Sequence, residues 1–457
     1  MLGWGGIARL GLVQAGLGAV VVLTTSTLNR VMVVELALPA VLPGFLVALH
    51  YLVQVLRPRL GHSSDVGGRR TPWIVGGMGV LALGGVLAAL ATAWMAVNRA
   101  AGVALAVIAF VLIGVGVSAS GTSLLVLLAK RVAPPRRAAA ATVVWMMMIA
   151  GFAVTAGVAG HLLDPYSPQR LVLVALGVSV LALVLTLVAL RGVEGGAAGP
   201  QPAERAERAE PAEPAAAPHL AFREALAQVW ADPAARHFTV FVFVSMLAFS
   251  AQDLILEPFA GSVFGFTPGQ STQLSGVQHG GVLLGMLVVA LAGQRFAGRA
   301  LGSLRGWTVG GCVASGVALL GLVAAGLVGP AWPLKTTVFA LGAANGAFSI
   351  AAIASMMQLA GAGGASHEGV RMGLWGAAQA VAFGLGGLLG TAASDVSRWL
   401  VGSTGAAYAA VFAFEAALFL VAAAMAAKVS VLPAQPPTQP RGQPFDHRLA
   451  NRLSAGA

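Results

Sequence analysis

The chain reads as an all-α membrane protein, twelve spanning helices in two six-helix halves joined by a polar linker. Three observations predict this class. The composition is 58% hydrophobic and only 9% charged over 457 residues, with a mean hydropathy of +0.84, whereas soluble domains carry about 25% charged residues. Twelve apolar runs reach roughly the 20 residues needed to cross about 30 Å of hydrocarbon. The basic residues gather in alternate loops, which is a pattern of membrane topology.

The runs lie near residues 9–29, 39–56, 72–95, 101–128, 139–162, 170–190, 237–257, 272–292, 307–328, 332–358, 371–394 and 404–427. No small-residue cleavage site follows a short apolar region at the start, so the first run reads as a retained span and not a signal peptide. An even number of spans places both termini on one side. Of the 27 Lys and Arg residues, only Arg30, Arg99, Arg170, Lys335 and Arg398 fall on the opposite side. This asymmetry predicts cytoplasmic termini. Trp73 and Trp94 mark the two interfaces of the third span, since 21 residues at about 1.5 Å each separate them by about 31 Å. The net charge of +11 thus has a topological origin, and nothing in the chain forms the basic, aromatic-studded soluble domain that nucleic acid would require.

Between the sixth and seventh spans, "GVEGGAAGPQPAERAERAEPAEPAAAPH" (192–219) is rich in Ala, Pro and Glu and has no apolar period, which predicts a disordered linker. The expected organisation is a first half over 1–191, a linker over 192–235, a second half over 236–428 and a disordered tail over 429–457. The single cysteine, Cys312, sits in an apolar run and reads as packing.

"GHSSDVGGRR", Gly61 to Arg70, lies between the second and third spans. It resembles the signature loop of the major facilitator superfamily, with Gly61, Asp65, Gly68, Arg69 and Arg70 matching at the family's spacing. Val66 departs from it, and the second half carries only the degraded "GQRFAGR". The resemblance implies two halves around a central cavity, with Asp65 stabilising one access state through charge-assisted hydrogen bonds.

"TLNRVMVVEL", followed by "ALHYLVQVLRPRLGHSSDVGGRRTPWI", resembles the PucC/LhaA, or bacteriochlorophyll delivery, family of that superfamily, in particular its branch labelled a bacteriochlorophyll synthase chain. That resemblance implies a protein of the photosynthetic membrane that receives new (bacterio)chlorophyll or a precursor as cargo and helps load it into light-harvesting or reaction-centre polypeptides. The implied partners are those polypeptides, bacteriochlorophyll synthase and the lipid membrane. No covalently bound cofactor and no catalysis are expected. Prenyl transfer would call for paired Asp-rich motifs holding Mg-diphosphate, and the longest acid cluster lies in the Ala/Pro/Glu linker. Phosphate loops, zinc spacings and nucleophile elbows are equally missing from the sequence.

Pigment handling asks for a ligand to the chlorin magnesium and an apolar groove for ring and tail. His50, in "VALHYLVQ", is the leading ligand candidate. His279, in "SGVQHGGVLLG", is a weaker one because it falls in the outer third of its expected span. Helix packing is the competing role for both. "WMMMIAGF" (145–152) offers adaptable apolar surface. "TTSTLNRVMVVELALP" (24–39) leaves two arrangements open: Asn29 and Arg30 at the interface with Glu35 in a loop, or a longer helix that holds Arg30 and Glu35 as a neutralising pair. The rival mechanism is proton-coupled transport of a small hydrophobic molecule. It would use acids in the cavity: Asp253 and Glu257 at the outer end of the seventh span, or Glu415, which the peripheral position of a last helix assigns instead to a partner surface.

Overall fold

The computed structural model describes residues 1–54, 70–133, 136–194, 230–293, 302–362 and 368–428. Gly61, Asp65, Gly68 and Arg69 of the signature loop, most of "GQRFAGR", the linker beyond Glu194 and the tail from 429 lie outside the described residues. Twelve long helices are present among the described residues. They are α1 (Trp4–Glu35), α2 (Val41–Gln54), α3 (Thr71–Met95), α4 (Arg99–Arg131), α5 (Arg137–Leu162), α6 (Pro168–Leu190), α7 (Pro233–Phe264), α8 (Pro268–Ala292), α9 (Leu304–Val328), α10 (Leu334–Ala362), α11 (Glu368–Leu400) and α12 (Thr404–Lys428). All but α2 are long and apolar enough to span a membrane.

Local chemistry sets many of the starts. Asn98, Ser167, Asp232, Thr267 and Ser303 cap α4, α6, α7, α8 and α9 by accepting from a backbone N–H two or three residues on. In three of these the next residue is proline, whose missing N–H costs nothing in the first turn. Thr267 and Gln270 complete a reciprocal capping box, so α8 begins four residues before the expected 272.

Two of the helices that outrun their expected ends shape the site. α1 continues six residues past 29, through two wide turns with i to i+5 bonding at Leu23–Thr27 and Val31–Glu35, because "VMVVEL" offers nothing to stop it. It ends at Ala37, whose φ of 49° turns the chain before Pro39. α7 passes through Pro258 and stops at Gly265, whose left-handed φ of 69° suits glycine. Asp253 and Glu257 therefore lie inside the bundle and not at a helix end.

The halves pack by one repeated plan. In the first half α1 packs on α5 and α6, and α3 on α4 and α6; in the second α7 packs on α11 and α12, and α9 on α10 and α12. Across the middle α2 meets α11 and α5 meets α8. Shifting every label by six exchanges these contacts, which is the mark of a two-fold repeat. Each half has its own core, one running from Ile7 to Val193 and the other centred on Phe238, Phe259, Trp375 and Phe412. Glycine lets backbones touch: a Cβ on Gly285 or Gly346, in the α8 and α10 seam, would strike the carbonyl oxygen of Ala343 or Val282.

Candidate functional site

Helices α1, α2, α4, α5, α7, α8, α10 and α11 enclose a central cavity of about 1790 Å³, counting the space open at its mouth. The remaining four stand outside it. Its walls carry Tyr51, Trp145, Phe152, Phe249 and Phe383. Phe383 joins the aromatic wall by lying 5.4 Å from Tyr51 and 5.8 Å from Phe249, centroid to centroid. Asp253 is the sole charged type among the described lining residues, and none of them is Lys or Arg. A site so lined favours neutral, largely apolar molecules and opposes anions.

The end of the cavity distal to the termini is closed by the polar stretch of α1. Pro258 has no N–H, so the carbonyl of Leu254, four residues back, loses its helical partner. Asn29 replaces that donor: its Nδ2 donates to Leu254 O. One residue on, Arg30 is 2% exposed. Its guanidinium donates to Glu35, to the Phe266 carbonyl beyond α7, and at 3.4 Å to Ser271 Oγ of α8. The longer-helix arrangement is thus the one the protein adopts, with Glu35 partly exposed and Arg30 buried. Gly261 makes room for the guanidinium, because a Cβ there would stand 3.0 Å from Nε. Thr27 and Thr272 share a hydrogen bond of 3.0 Å between the halves.

The three acids fall in two places. Asp253 lines the cavity and accepts from Gln278 Nε2 at 3.1 Å. Glu257, one turn on, is buried between the halves and accepts from Ser26 Oγ, while its Oε2 has no partner among the described residues. Glu415 is a correction to the sequence expectation. It belongs to an outer helix but is only 1% exposed, on the face of α12 turned into the second half, so it serves no partner surface. Neither of its carboxyl oxygens has a partner among the described residues.

Both candidate histidines line the cavity. His50 is buried, with Nε2 2.9 Å from the Gln54 amide nitrogen, which donates, and the Tyr51 ring tilted at 56° to it, 4.5 Å between centroids. His279 lines the cavity, 11 residues or about 17 Å into α8, near the middle of the helix. Its Nδ1 lies 2.8 Å from the Ser275 carbonyl. The capping box of α8 is the sequence signal that would have placed it at mid-span. The "WMMMIAGF" stretch divides as its helical period requires: Trp145, Met148, Ile149 and Phe152 face the cavity, while Met147 fills the space beside Gly11.

Three acids went unnoticed in the sequence. Asp395, near the end of α11, accepts from the N–H groups of Ala40 and Val41 at 3.0 and 2.8 Å and so caps α2. Asp164, past the end of α5, accepts from Thr267 Oγ1 at the start of α8, at 2.8 Å. On the side of the termini, Glu194 accepts from the N–H groups of Arg70 and Thr71 at 2.9 to 3.1 Å and caps α3. Arg70, the described residue of the signature loop, is thereby held against the end of the first half. Burial opposes the Glu194 charge, but these backbone donors and nearby Arg131 outweigh it and hold its carboxyl below the usual range.

Comparison with known proteins agrees with this architecture. A bacterial homolog of the human lysosomal transporter Spinster, inward-facing and unoccupied, superposes with a TM-score of 0.63 at 14% identity, covering 92% of this chain and 95% of that one. At that identity the likeness speaks for the fold alone, which is that of major facilitator transporters. The "Bacteriochlorophyll synthase 44.5 kDa chain" of Rhodobacter capsulatus is 52% identical over 94% of this chain and 96% of its own length. "Protein PucC" of the same organism is 30% identical over 92% and 91%. The profile of the PUCC protein family matches residues 27–433. A twelve-helix facilitator fold around a neutral, aromatic-walled cavity, with this match along nearly its whole length, is a member of the PUCC protein family.

Proposed function

We propose that the chain shelters a (bacterio)chlorophyll or late precursor in its central cavity, taking it from bacteriochlorophyll synthase and delivering it to light-harvesting or reaction-centre polypeptides. It acts as an assembly factor and not as an enzyme, in the inner or intracytoplasmic photosynthetic membrane, with both termini cytoplasmic. The observation that carries this reading is the cavity itself. A wide space walled by five aromatic side chains, with no Lys or Arg among the described lining residues, suits a large neutral ring with a hydrocarbon tail. An esterified pigment fits it better than the same pigment as a free acid, whose carboxylate would meet Asp253 and no cation. The names of the relatives supply the pigment class.

Gentle detergent purification from a photosynthetically grown host tests the reading. The expected material shows a red-shifted chlorin absorption band and carries the synthase or antenna polypeptides by mass spectrometry. Colourless protein that ignores added tetrapyrrole overturns it. A second reading, proton-coupled transport of a small hydrophobic molecule, draws on Asp253 and Glu257 standing one turn apart at the closed end. Solute accumulation in sealed vesicles that follows an imposed pH gradient, and is lost in Asp253→Asn, would select it.

A further inference from the structure

We infer that His279 supplies the axial ligand to the magnesium of a chlorin-type macrocycle held in the cavity. This rests on the pigment reading above and adds to it the atom that recognises the metal. The hydrogen bond from Nδ1 of His279 ends on the Ser275 carbonyl oxygen at 2.8 Å. A carbonyl only accepts, so Nδ1 carries the ring proton, and in a neutral imidazole the lone pair then belongs to Nε2. Nε2 has no protein partner among the described residues, and the residue lines the cavity. A backbone carbonyl that fixes the tautomer and orients the ring, leaving the other nitrogen to bind, is the arrangement metal-ligating histidines adopt. Phe152 of α5 braces the ring edge to face, 4.9 Å between centroids at 82°. The magnesium of a chlorin is already held by its own ring nitrogens, so one side chain is enough to complete it.

His50 lines the same cavity but does not leave Nε2 open to it. Its Nε2 accepts from Gln54, and the side chain is 2% exposed. The surroundings of His279 also suit a flat ring with a tail. Ser275, Gln278 and Asp253 form a polar floor on the distal side, and Val282, Met286 and Ile149 form an apolar wall toward the side of the termini. A macrocycle ligated at His279 would lie at the boundary, its hydrocarbon chain directed along the apolar part. Gly376, which lines the cavity, and Gly280, next to His279, both face open space.

The test uses the full chain in detergent, titrated with bacteriochlorophyll and with its magnesium-free counterpart, bacteriopheophytin, followed by absorption and by coordination-sensitive Raman bands. The magnesium form is expected to bind at least about ten-fold more tightly, which corresponds to about 1.4 kcal/mol. His279→Leu should remove that preference and leave both pigments at the metal-free level, whereas His50→Leu should keep it. His279→Ala, with imidazole added back, should regain the preference and the five-coordinate Raman signature, which a misfolded variant would not do. Equal affinity of the unaltered protein for both pigments overturns the ligation and leaves the pigment reading standing. A preference that survives in His279→Leu also overturns it. Binding of neither pigment overturns the pigment reading itself.

Discussion

Asp164 and Asp395 occupy equivalent places in the two halves, each past or near the end of the helix that crosses to the other half, yet they do different work. Asp395 gives both carboxylate oxygens to backbone N–H groups of α2 and is paired with Arg398. Asp164 touches α8 through one hydroxyl, Thr267 Oγ1. The difference lies in the helices they meet. α8 starts with its own capping box, Thr267 and Gln270, and its first N–H groups are already partly satisfied. α2 starts at Ala40 and Val41, whose side chains cannot cap, so it borrows a carboxylate 354 residues away. A repeat therefore preserves the place of an acid while its energetic role follows from a few residues on the facing helix.

The largest expected effect comes from Arg30, which loads only the α8 side of this pair. Arg30→Ala removes donors to Phe266 O, Ser271 and Glu35 from a buried position and should cost about 2–3 kcal/mol. Thermal unfolding in detergent would register it, and Arg30→Lys should recover little because a single ammonium cannot serve three directions. Next come the two glycines at the seams. Gly269→Ala would drive a methyl into Asp164 and the Gly160 carbonyl, and Gly44→Ala into Thr391 Oγ1. Each should cost about 1–3 kcal/mol, more at Gly269, where a backbone oxygen would stand at 2.5 Å against 3.3 Å at Gly44; equal losses would mean the α5 and α8 helices yield as easily as a side chain.

Removing the acids themselves tests the comparison directly. Asp395→Ala should cost about 1–2 kcal/mol as a lost helix cap, and Asp164→Ala about 0.5–1 kcal/mol as one lost hydrogen bond. The reverse order, in the same unfolding measurement, would refute the borrowed-cap account. The smallest effect belongs to Glu194, the cap on the side of the termini. Its folded pKa lies below the ordinary 4.5, so its stabilisation is present above that value and is lost as pH falls through the lowered one. Relative to Glu194→Gln, the unaltered protein should hold its melting temperature from pH 7 to 5 and lose its advantage below about 4.5, by under about 1 kcal/mol.

Much of the architecture was legible because it is local. Apolar length gave the spans, while the Ser, Thr or Asp before Pro that marks the starts at 168, 233 and 268 went unread, so those starts were placed two to four residues late. Which face of a helix turns inward was not legible, since in a bundle surrounded by hydrocarbon both faces are apolar and periodicity carries little contrast. Glu415 was misjudged for that reason: an outer helix still has an inner face. The borrowed cap of α2 was hidden because it exists only once the two halves dock. Arg30 and Glu35 were visible as a possible pair, but the complement of Asn29 to the carbonyl freed by Pro258 joins residues 225 positions apart in sequence. The mid-helix place of His279 turned on four residues at the start of α8.

One consequence follows from the cap that α2 takes from α11. Were the distal face to gape, the first peptide groups of α2 would lose both of their carboxylate acceptors, and the opposite seam would give up Asp164 together with the Arg30 bonds to Phe266 and Ser271. Separation at that end would thus have to unlock both seams, since neither parts without stranding buried or backbone donors.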